Sequence, residues 1–455
     1  MNITLVLIGL FIAIQLALGY FISRYIKSED DYIIAGRKLG YLLTTFTIFA
    51  TWFGSETCIG SAGAIYTDGL GGGTADPFGY ALCIFGMGIF LARPVWKMGL
   101  STFADYFRVR YDSGVEKLSV ALMVPTSLFW AAAQIRAFGQ VISASSSFAS
   151  ELTITFAAAV VILYTVFGGL LADVYTDLLQ GIILIIGLSM ILFGIINHEG
   201  FHIFQSITPS RLTFFNTEEQ SWLDILESWA IPVMGSMIAA ELVTRAMASR
   251  SVQVAQRSAF MAGSLYLTIG LIPVAIGLMG PVLIPGLAET EQILPLVGQK
   301  YLSPLLYSVF AAALVSAILS TVDSSLLVSA TMISHNILVP RLHITSERKK
   351  VILARICVAI LGIVAYMLAM HADGVYALVE EASAFGSAGL FVVVFMGLFF
   401  KSGHGLSGRL ALIGGLVSWV MGAYWLDWDH PFLTSVVVAF LGYLAGMFRK
   451  VPLRD

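Results

Sequence analysis

Long apolar segments alternate with short polar connections along nearly the whole chain of 455 residues. Each apolar segment is long enough to cross the ~30 Å hydrocarbon core of a bilayer as an α-helix. We therefore predict an all-α integral membrane protein with thirteen transmembrane helices. The predicted spans cover residues 3–23, 42–66, 77–98, 116–147, 151–171, 174–197, 224–248, 256–284, 301–336, 350–370, 374–400, 406–427 and 431–448.

Basic residues are confined to alternate connections, which is the pattern that the positive-inside rule describes. The opposite connections, such as YTDGLGGGTADP and LDWDHP, are acidic, glycine-rich or neutral. With an odd number of spans in an inner membrane, Met1 then lies outside and Asp455 in the cytoplasm. The basic residues assigned to cytoplasmic connections are Arg24, Lys27, Arg37, Lys38, Arg93, Lys97, Arg108, Arg110, Lys117, Arg245, Arg250, Arg257, Arg341, Arg348, Lys349, Lys350, Lys401, Arg409, Arg449, Lys450 and Arg454.

Composition excludes several classes of function. Hydrophobic residues make up 58% of the chain and charged residues 12%, and the charged share is about half that of an ordinary soluble domain. A net charge of −3 provides no basic surface for nucleic acid. The cysteines Cys58, Cys83 and Cys357 lie in apolar segments without metal-type spacing. Because no Walker, HExxH or Ser-His-Asp pattern is present, we do not expect an enzyme.

Two predicted spans are interrupted at related places. Span two has Gly54, Ser55 and Glu56 at its centre, and Pro232 and the pair 235–236 break the apolar run of span seven. Span two enters from the cytoplasm and span seven from outside, so spans two to six and seven to eleven are interpreted as inverted copies of a five-helix unit. Paired interruptions of this kind point to a transporter's binding site at the membrane midplane.

Span nine carries polar residues at membrane depth. Ala317, Ser320 and Thr321 stand at i, i+3 and i+4, so they share one face of a helix, where backbone and hydroxyl oxygens converge. One interpretation is a site for a small hard cation; the other is that small residues let two helices approach closely. The carboxylate of Asp323, one turn further along, favours the cation.

Three motifs resemble those of the sodium:solute symporter family, which includes bacterial proline, sialic acid and sugar symporters. DYIIAGRKLG resembles the family's entry motif, and YTVFGGLLADVYTDLLQG resembles its long middle signature. SAILSTVDSSLLVSA resembles the sodium motif of the ninth span. The middle signature is the most specific of the three.

The resemblance implies a leucine-transporter-like fold, with a 5+5 inverted-repeat core inside one domain over residues 1–455. Residues 1–41 would form an N-terminal helix and loop, 42–198 repeat 1, 199–400 an outer loop and repeat 2, and 401–455 two C-terminal helices. Sodium is the implied ion. Its implied ligands are the broken second span and the ninth span, at Ala50, Phe53, Ala317, Ser320 and Thr321.

Two aspartates are assigned to the same region. By the resemblance, Asp177 supports the hydroxyl pair of the ninth span; the alternative is a helix cap at the cytoplasmic end. Asp323 is expected to support the site or to create a second cation position.

Among the branches of the family, the resemblance is strongest to high-affinity choline transporters, through ATW-x-G in span two, P-x-G-Y in span three, FWAAA in span four and VDSS in span nine. It implies that Trp52, Tyr80 and Trp130 form an aromatic cage for a quaternary ammonium. The alternative for each ring is packing or an interfacial belt.

Span seven departs from the choline pattern. Ala239 stands where that branch has a tryptophan, and Glu241 follows two residues later. Either a carboxylate, Glu241 or Glu56, replaces part of the missing wall, or the substrate is different. All three residues are therefore assigned to the substrate site.

The expected function is sodium-coupled import of a small organic solute. A choline-like quaternary ammonium or a betaine is favoured, and a proline-like amino acid or another small carboxylate is the alternative. A solute sensor that works with a separate partner is an alternative of another class. The expected partners are the solute and the lipid bilayer, with neither nucleic acid nor an obligate protein partner.

Overall fold

The computed structural model describes residues 3–144, 146, 148–215, 220–372, 374–400 and 402–448. Over these ranges the chain is helical, and its only extended pairing is an isolated bridge between Leu39 and Ser249. The α-helices are α1 (Ile3–Ser23), α2 (Glu29–Ile34), α3 (Tyr41–Trp52), α4 (Ser61–Asp68), α5 (Tyr80–Gly86), α6 (Ala92–Met98), α7 (Ala104–Arg110), α8 (Ser113–Ala144), α9 (Ser150–Glu199), α10 (Trp222–Ala230), α11 (Ala240–Met247), α12 (Val252–Leu283), α13 (Ile293–Tyr301), α14 (Pro304–Thr331), α15 (Val339–Leu342), α16 (Glu347–His371), α17 (Val375–Ala384), α18 (Ser387–Phe399), α19 (Gly405–Tyr424) and α20 (Pro431–Phe448).

Wider π turns and tighter 3₁₀ turns join several of these helices. The π turns are Glu56–Gly60, Thr74–Gly79, Met87–Leu91, Ile231–Gly235 and Met332–Leu338. The 3₁₀ turns are Ala35–Arg37, Gly69–Gly73, Phe201–Ser206, Pro209–Leu212 and Thr290–Gln292. The sequence GLGGG at 69–73 is thus an ordered turn.

Ten helices in the described ranges are long and apolar enough to cross a membrane, or eleven if one bent pair is counted as a span. The predicted count of thirteen is therefore not confirmed, although the all-helical membrane class is. Two causes lower the count. The 12-residue α3 is too short to cross alone, and α9 counts once although it has 50 residues.

The long helix α9 folds back on itself at Gly169. This glycine has φ 60° and ψ 171°, a conformation that is essentially restricted to glycine. The hydroxyl of Tyr164 bonds that of Thr176 at 2.5 Å, whereas a straight helix would separate these residues by about 18 Å along its axis. The two legs, 150–168 and 170–199, therefore run side by side.

Both interruptions predicted from the sequence are present. The helical ladder of α3 ends with the bond from Phe53 N–H to the Phe49 carbonyl, and a π turn separates it from α4. Between α10 and α11 the chain bends by 42°. Irregular backbone is tolerated at membrane depth only where protein or a water-filled cavity satisfies its polar groups.

The helix α14 lies at the centre of the bundle. Every residue from 310 to 331 is buried, and α9, α8, α1 and α3 pack around it. By contrast, α1 and α16 expose large side chains such as Leu10 and Ile360, as expected of helices that face lipid. The hydroxyls of α14 must therefore find partners inside the protein.

Residues 28–40, here called the strap, cross one end of the bundle between α1 and α3. Tyr32 is fully buried, and its ring lies so close to Gly169 that a Cβ there would be 2.5 Å from it. Leu39 exchanges backbone hydrogen bonds with the end of α11, at Ala248 and Arg250. The strap therefore connects the turn of α9 to the end of the second broken segment.

Candidate functional site

The break after α3 contacts the middle of α14. A Cβ built on Gly54 would lie 2.7 Å from the hydroxyl oxygen of Thr321 and 2.6 Å from a carboxylate oxygen of Glu56. Beyond the break, Ser55 N–H donates to the side chain of Gln134 at 2.9 Å instead of continuing the helix. The end of α3, which contains the buried Ala50 and is followed by the buried Phe53, therefore lies against the hydroxyl face of α14.

Asp177 joins these two helices to α9. Its carboxylate oxygens accept hydrogen bonds from the hydroxyls of Ser320 and Thr47, and all three side chains are buried. Asp177 lies within the second leg of α9, so it is not a helix cap. The Thr321 hydroxyl donates to the Ala317 carbonyl at 3.3 Å, which completes a row of hydroxyl and carbonyl oxygens.

The prediction that Arg245 lies in a connecting loop is wrong, because its side chain is completely buried. Its guanidinium pairs with Asp173 and also donates to Ser324. Its Nε donates to the Thr51 hydroxyl at 3.1 Å. One cation from α11 thus links α3, α9 and α14, and neither Arg245 nor Asp173 was among the predicted site residues.

Asp323 is also buried and lies beside Asp173 and Thr165 on α9. Within the described residues, neither of its carboxylate oxygens has a hydrogen-bond partner of good geometry. Burying an ionised carboxylate without such partners is costly, so a proton or a cation must compensate its charge. No group of three or more His, Cys, Asp or Glu side chains in the described ranges forms a metal cluster.

The three aromatic residues predicted to form a cage contact one another. The Trp52 and Trp130 ring centroids are 5.0 Å apart, and that of Tyr80 lies 6.4 Å from Trp52 and 6.2 Å from Trp130. The Tyr80 hydroxyl is 2.9 Å from that of Ser383. The indole N–H groups of Trp52 and Trp130 have no partner among the described residues.

A narrow gap, here called the central space and too small to hold a water molecule in this conformation, lies between this cage and the hydroxyl face of α14. Thr321 lines it together with residues from both broken segments, so the predicted ion and solute residues share one wall. The residues that line it are Thr51, Trp52, Glu56, Trp130, Glu241, Thr321 and Ser325.

Glu56 is held at the edge of the central space by Gln134. The Gln134 amide donates to a carboxylate oxygen of Glu56 at 2.7 Å, while its oxygen accepts from Ser55 N–H. Gln134 was not among the predicted site residues. It stands four residues after Trp130 on α8, and this helical spacing places both side chains on one face of the helix.

The second broken segment places Ala239 and Glu241 beside Trp130. Ala239 is the extended residue at the break, and it lines a second narrow space with Trp130 and Ser383. Glu241, in the first turn of α11, is buried and has one carboxylate oxygen without a partner in the described part of the chain. The structure therefore brings both residues to the cage.

A wide cavity of about 680 Å³ leads from these residues to the surface. Glu56 and Tyr80 line its inner end, and Asp68, Phe214 and Trp229 belong to the elements around its mouth. The strap lies at the other end of the α3–α4 segment. The wide cavity therefore approaches the central residues from the side of the break that faces away from the strap.

Comparison with known proteins finds a matching family model and similar proteins that include choline transporters and a proline symporter. A family model described as the sodium:solute symporter family matches residues 32–417. High-affinity choline transporter 1 of Drosophila melanogaster is 31% identical over 430 residues, which are 89% of this chain and 68% of that protein. The human high affinity choline transporter 1 is 30% identical, over 77% of this chain and 64% of that protein.

The sodium/proline symporter of Staphylococcus aureus is 24% identical over 473 residues, covering 99% of this chain and 89% of that protein. The chain therefore spans about two thirds of the length of the choline transporters that it matches. It spans most of the length of the proline symporter.

Two solved structures share the fold. A sialic acid symporter, Na⁺-coupled and in a substrate-bound outward-open state, matches 100% of this chain and 98% of its own, with a TM-score of 0.85 and 19% identity. Mhp1, a nucleobase-cation-symport-1 family transporter in a closed conformation, matches 91% of this chain and 93% of its own, with a TM-score of 0.60 and 15% identity. The predicted leucine-transporter-like fold class is thus confirmed, without the exact number of helices.

Proposed function

Because this chain belongs to the sodium:solute symporter family, we propose that it couples sodium entry to the import of a small organic solute across a plasma (inner) membrane. The observation that supports this most directly is the central space. Its wall is shared by Thr321, a predicted ion ligand, and by Trp52 and Trp130, predicted solute ligands.

The proposed architecture has thirteen crossings with Met1 outside and Asp455 in the cytoplasm. The two legs of α9 count as two crossings, since the chain reverses at Gly169. The broken segments α3–α4 and α10–α11 then occupy equivalent places in two inverted repeats, 42–198 and 199–400. Residues 1–41 and 401–455 flank this core. The wide cavity opens outward in this arrangement, and the strap closes the cytoplasmic end.

Sodium is proposed to bind between the end of α3 and the face of α14. Its ligands would be carbonyl oxygens of Ala50, Phe53 and Ala317 and the hydroxyls of Ser320 and Thr321. Asp177 orients the Ser320 hydroxyl through their hydrogen bond. Asp323 is proposed to support a second cation, because its buried carboxylate has no hydrogen-bond donor of good geometry in the described ranges.

Coupling follows from where this ion site lies. A cation held by α3 and α14 would fix the distance between the break at Gly54 and Thr321, and both helices line the central space. Solute that contacts Trp52 would thereby bind more tightly when the ion is present. Thermodynamic linkage requires the reverse as well, so solute must increase sodium affinity by the same factor.

The favoured solute is a choline-like quaternary ammonium. Two carboxylates, Glu56 and Glu241, line the central space, and none of its seven lining residues is basic. The aromatic faces of Trp52, Tyr80 and Trp130 suit a cation without N–H donors. The choline transporters among the relatives support this choice, while the proline symporter keeps the amino acid as the alternative.

Uptake into proteoliposomes tests the proposal. Purified protein would be reconstituted, and labelled choline, betaine and proline would be supplied with and without an inward sodium gradient. We expect sodium-dependent accumulation of choline, increased by an inside-negative potential, because moving one charge through 100 mV contributes ~2.3 kcal/mol. Uptake of proline but not choline would overturn the solute assignment and leave sodium coupling intact. Uptake that is the same with and without a sodium gradient would overturn the proposed sodium coupling.

A further inference from the structure

The charged residues that line the wide cavity all carry the same sign. Glu56, Asp68 and Asp76 are acidic, and no Lys, Arg or His is among the described residues of the lining. Asp76 is held in place by hydrogen bonds from Thr57 and Tyr266, at 2.7 and 2.9 Å. A cleft lined by charge of one sign concentrates the oppositely charged species, so this cavity attracts cations.

The cavity also has a second aromatic trio near its mouth, formed by Phe214, Phe215 and Trp229. The ring centroids are 6.0 Å apart for Phe214 and Phe215, and Trp229 lies 6.2 Å from each. The rings are tilted by 40–44° to one another. They are therefore neither stacked nor perpendicular, and this group of three tilted rings is here called the dish.

This dish differs from the buried cage in its exposure. Phe215 is 45% exposed, and Phe214 and Trp229 are partly exposed, whereas Trp52, Tyr80 and Trp130 are at most 4% exposed. Phe78 supports the dish from behind, with its ring centroid 4.6 Å from that of Phe214. The separations between its rings are comparable to those in the cage. The cavity thus has the rings of Phe214, Phe215 and Trp229 near its mouth and Tyr80, one member of the cage, at its inner end.

We propose that Phe214, Phe215 and Trp229 form a second binding site for organic cations, which takes a quaternary ammonium at the mouth of the cavity before it reaches the cage. Asp68, the exposed carboxylate of the three, attracts the ligand, and the ring faces hold it by cation-π contact. The use of this site in uptake rests on the proposed function. Its ability to bind a cation does not.

The test is titration of the full-length protein with tetramethylammonium in sodium-free buffer, followed by broadening of the ligand's NMR signal. The background is the double variant Trp130→Leu with Tyr80→Leu, in which binding to the cage should be weakened roughly a hundredfold. We expect weak binding that Trp229→Ala reduces about two- to fivefold, since an exposed ring contributes ~0.5–1 kcal/mol to holding a cation. Phe214→Ala combined with Trp229→Ala should remove most of it.

A matched control is Trp222→Ala. Trp222 opens the same helix, α10, is 77% exposed and does not line the cavity, so its removal should leave binding unchanged. The ligand control is the neutral carbon isostere of choline, in which carbon replaces the nitrogen. It should not bind, because the charge is what the rings and carboxylates recognise. Binding should also weaken as ionic strength rises.

Separate outcomes test the two proposals. If tetramethylammonium binding is insensitive to Trp229→Ala, or if the neutral isostere binds equally well, the outer site is wrong. Sodium-dependent choline uptake in the wild-type protein would still support the proposed function. If choline is not transported, but binding in sodium-free buffer depends on Trp229, the solute assignment fails and the outer site stands.

Discussion

The hydroxyl oxygen of Thr321 lies 2.7 Å from the position that a Cβ would occupy on Gly54. This approach, between the break of one helix and the middle of another, leaves no room for a methyl group. Glu56 restricts the same position from the other side, at 2.6 Å. A substitution at Gly54 therefore tests whether the two helices must meet for the protein to work.

We expect Gly54→Ala to abolish sodium-stimulated uptake, because the added methyl would push Thr321 and Glu56 away from the break. Initial rates in proteoliposomes, with and without sodium, would measure this. The control is Gly9→Ala, since a Cβ on Gly9 has nothing within 4 Å. Normal sodium stimulation in Gly54→Ala would show that the close approach is not needed for coupling.

Removing either proposed hydroxyl ligand should weaken sodium binding. Ser320→Ala and Thr321→Ala are expected to raise the sodium concentration for half-maximal uptake at least several-fold, since each removes one oxygen from the ion's shell. Ser329→Ala is the matched control, because that hydroxyl bonds only its own helix, at the Ser325 carbonyl. Unchanged sodium dependence in both test variants would remove this face of α14 from the proposed ion site.

The role of Asp323 determines whether we expect one or two sodium ions to bind. If its carboxylate supports a second cation, the sodium dependence of wild-type uptake should have a Hill coefficient above one, and Asp323→Asn should lower it toward one. Asp177→Asn should instead reduce sodium affinity, because Asp177 orients Ser320. A wild-type coefficient near one that Asp323→Asn leaves untouched would indicate a single ion.

Cation-π binding in the cage requires aromatic ring faces, which apolar side-chain volume alone does not provide. Trp130→Leu and Tyr80→Leu keep apolar volume but lose the electron-rich face, so choline binding should weaken by roughly tenfold per residue, about 1.4 kcal/mol. Trp419→Leu is a control outside the site, since Trp419 is buried against Phe385 at a centroid distance of 5.9 Å. Equal losses for choline and its neutral isostere would argue for simple packing.

Substitution of Arg245 should lower the stability of the folded protein. Arg245→Gln leaves the Asp173 carboxylate buried without its cation, and breaking such a pair costs about 3–5 kcal/mol. Thermal unfolding of the purified protein in detergent should show a large fall in midpoint. The double variant Asp173→Asn with Arg245→Gln should recover part of it, because both charges are gone. A single variant as stable as the wild type would mean that the pair is dispensable.

Local pattern was enough to predict some features of this protein. Helical spacing alone placed Ser320 and Thr321 on one face, and Gly54 and Pro232 marked the two breaks. The family resemblance added Asp177. These features depend on residues that are near each other in the chain, or on motifs that name them together.

The features that the sequence did not predict depend on which helices pack against one another. Arg245 was assigned to a loop by its charge, and its burial follows only from the positions of Asp173 and Ser324 on two other helices. The count of thirteen spans was not confirmed for a related reason. Hydropathy predicted two spans at 151–171 and 174–197, but they form one long helix that reverses at Gly169, and α3 is too short to be counted alone.

The position of the strap should change whenever the helices at this end of the bundle rearrange. It touches the turn of α9 through Tyr32 and the end of α11 through Leu39, and Glu29 also pairs with His335 and Lys350 at 2.9 and 3.3 Å. Any rearrangement that opens this end of the bundle must therefore displace residues 28–40. Lys38 points to solvent from the same segment, so a fluorophore attached there would make each turnover visible at a position remote from both ion and solute.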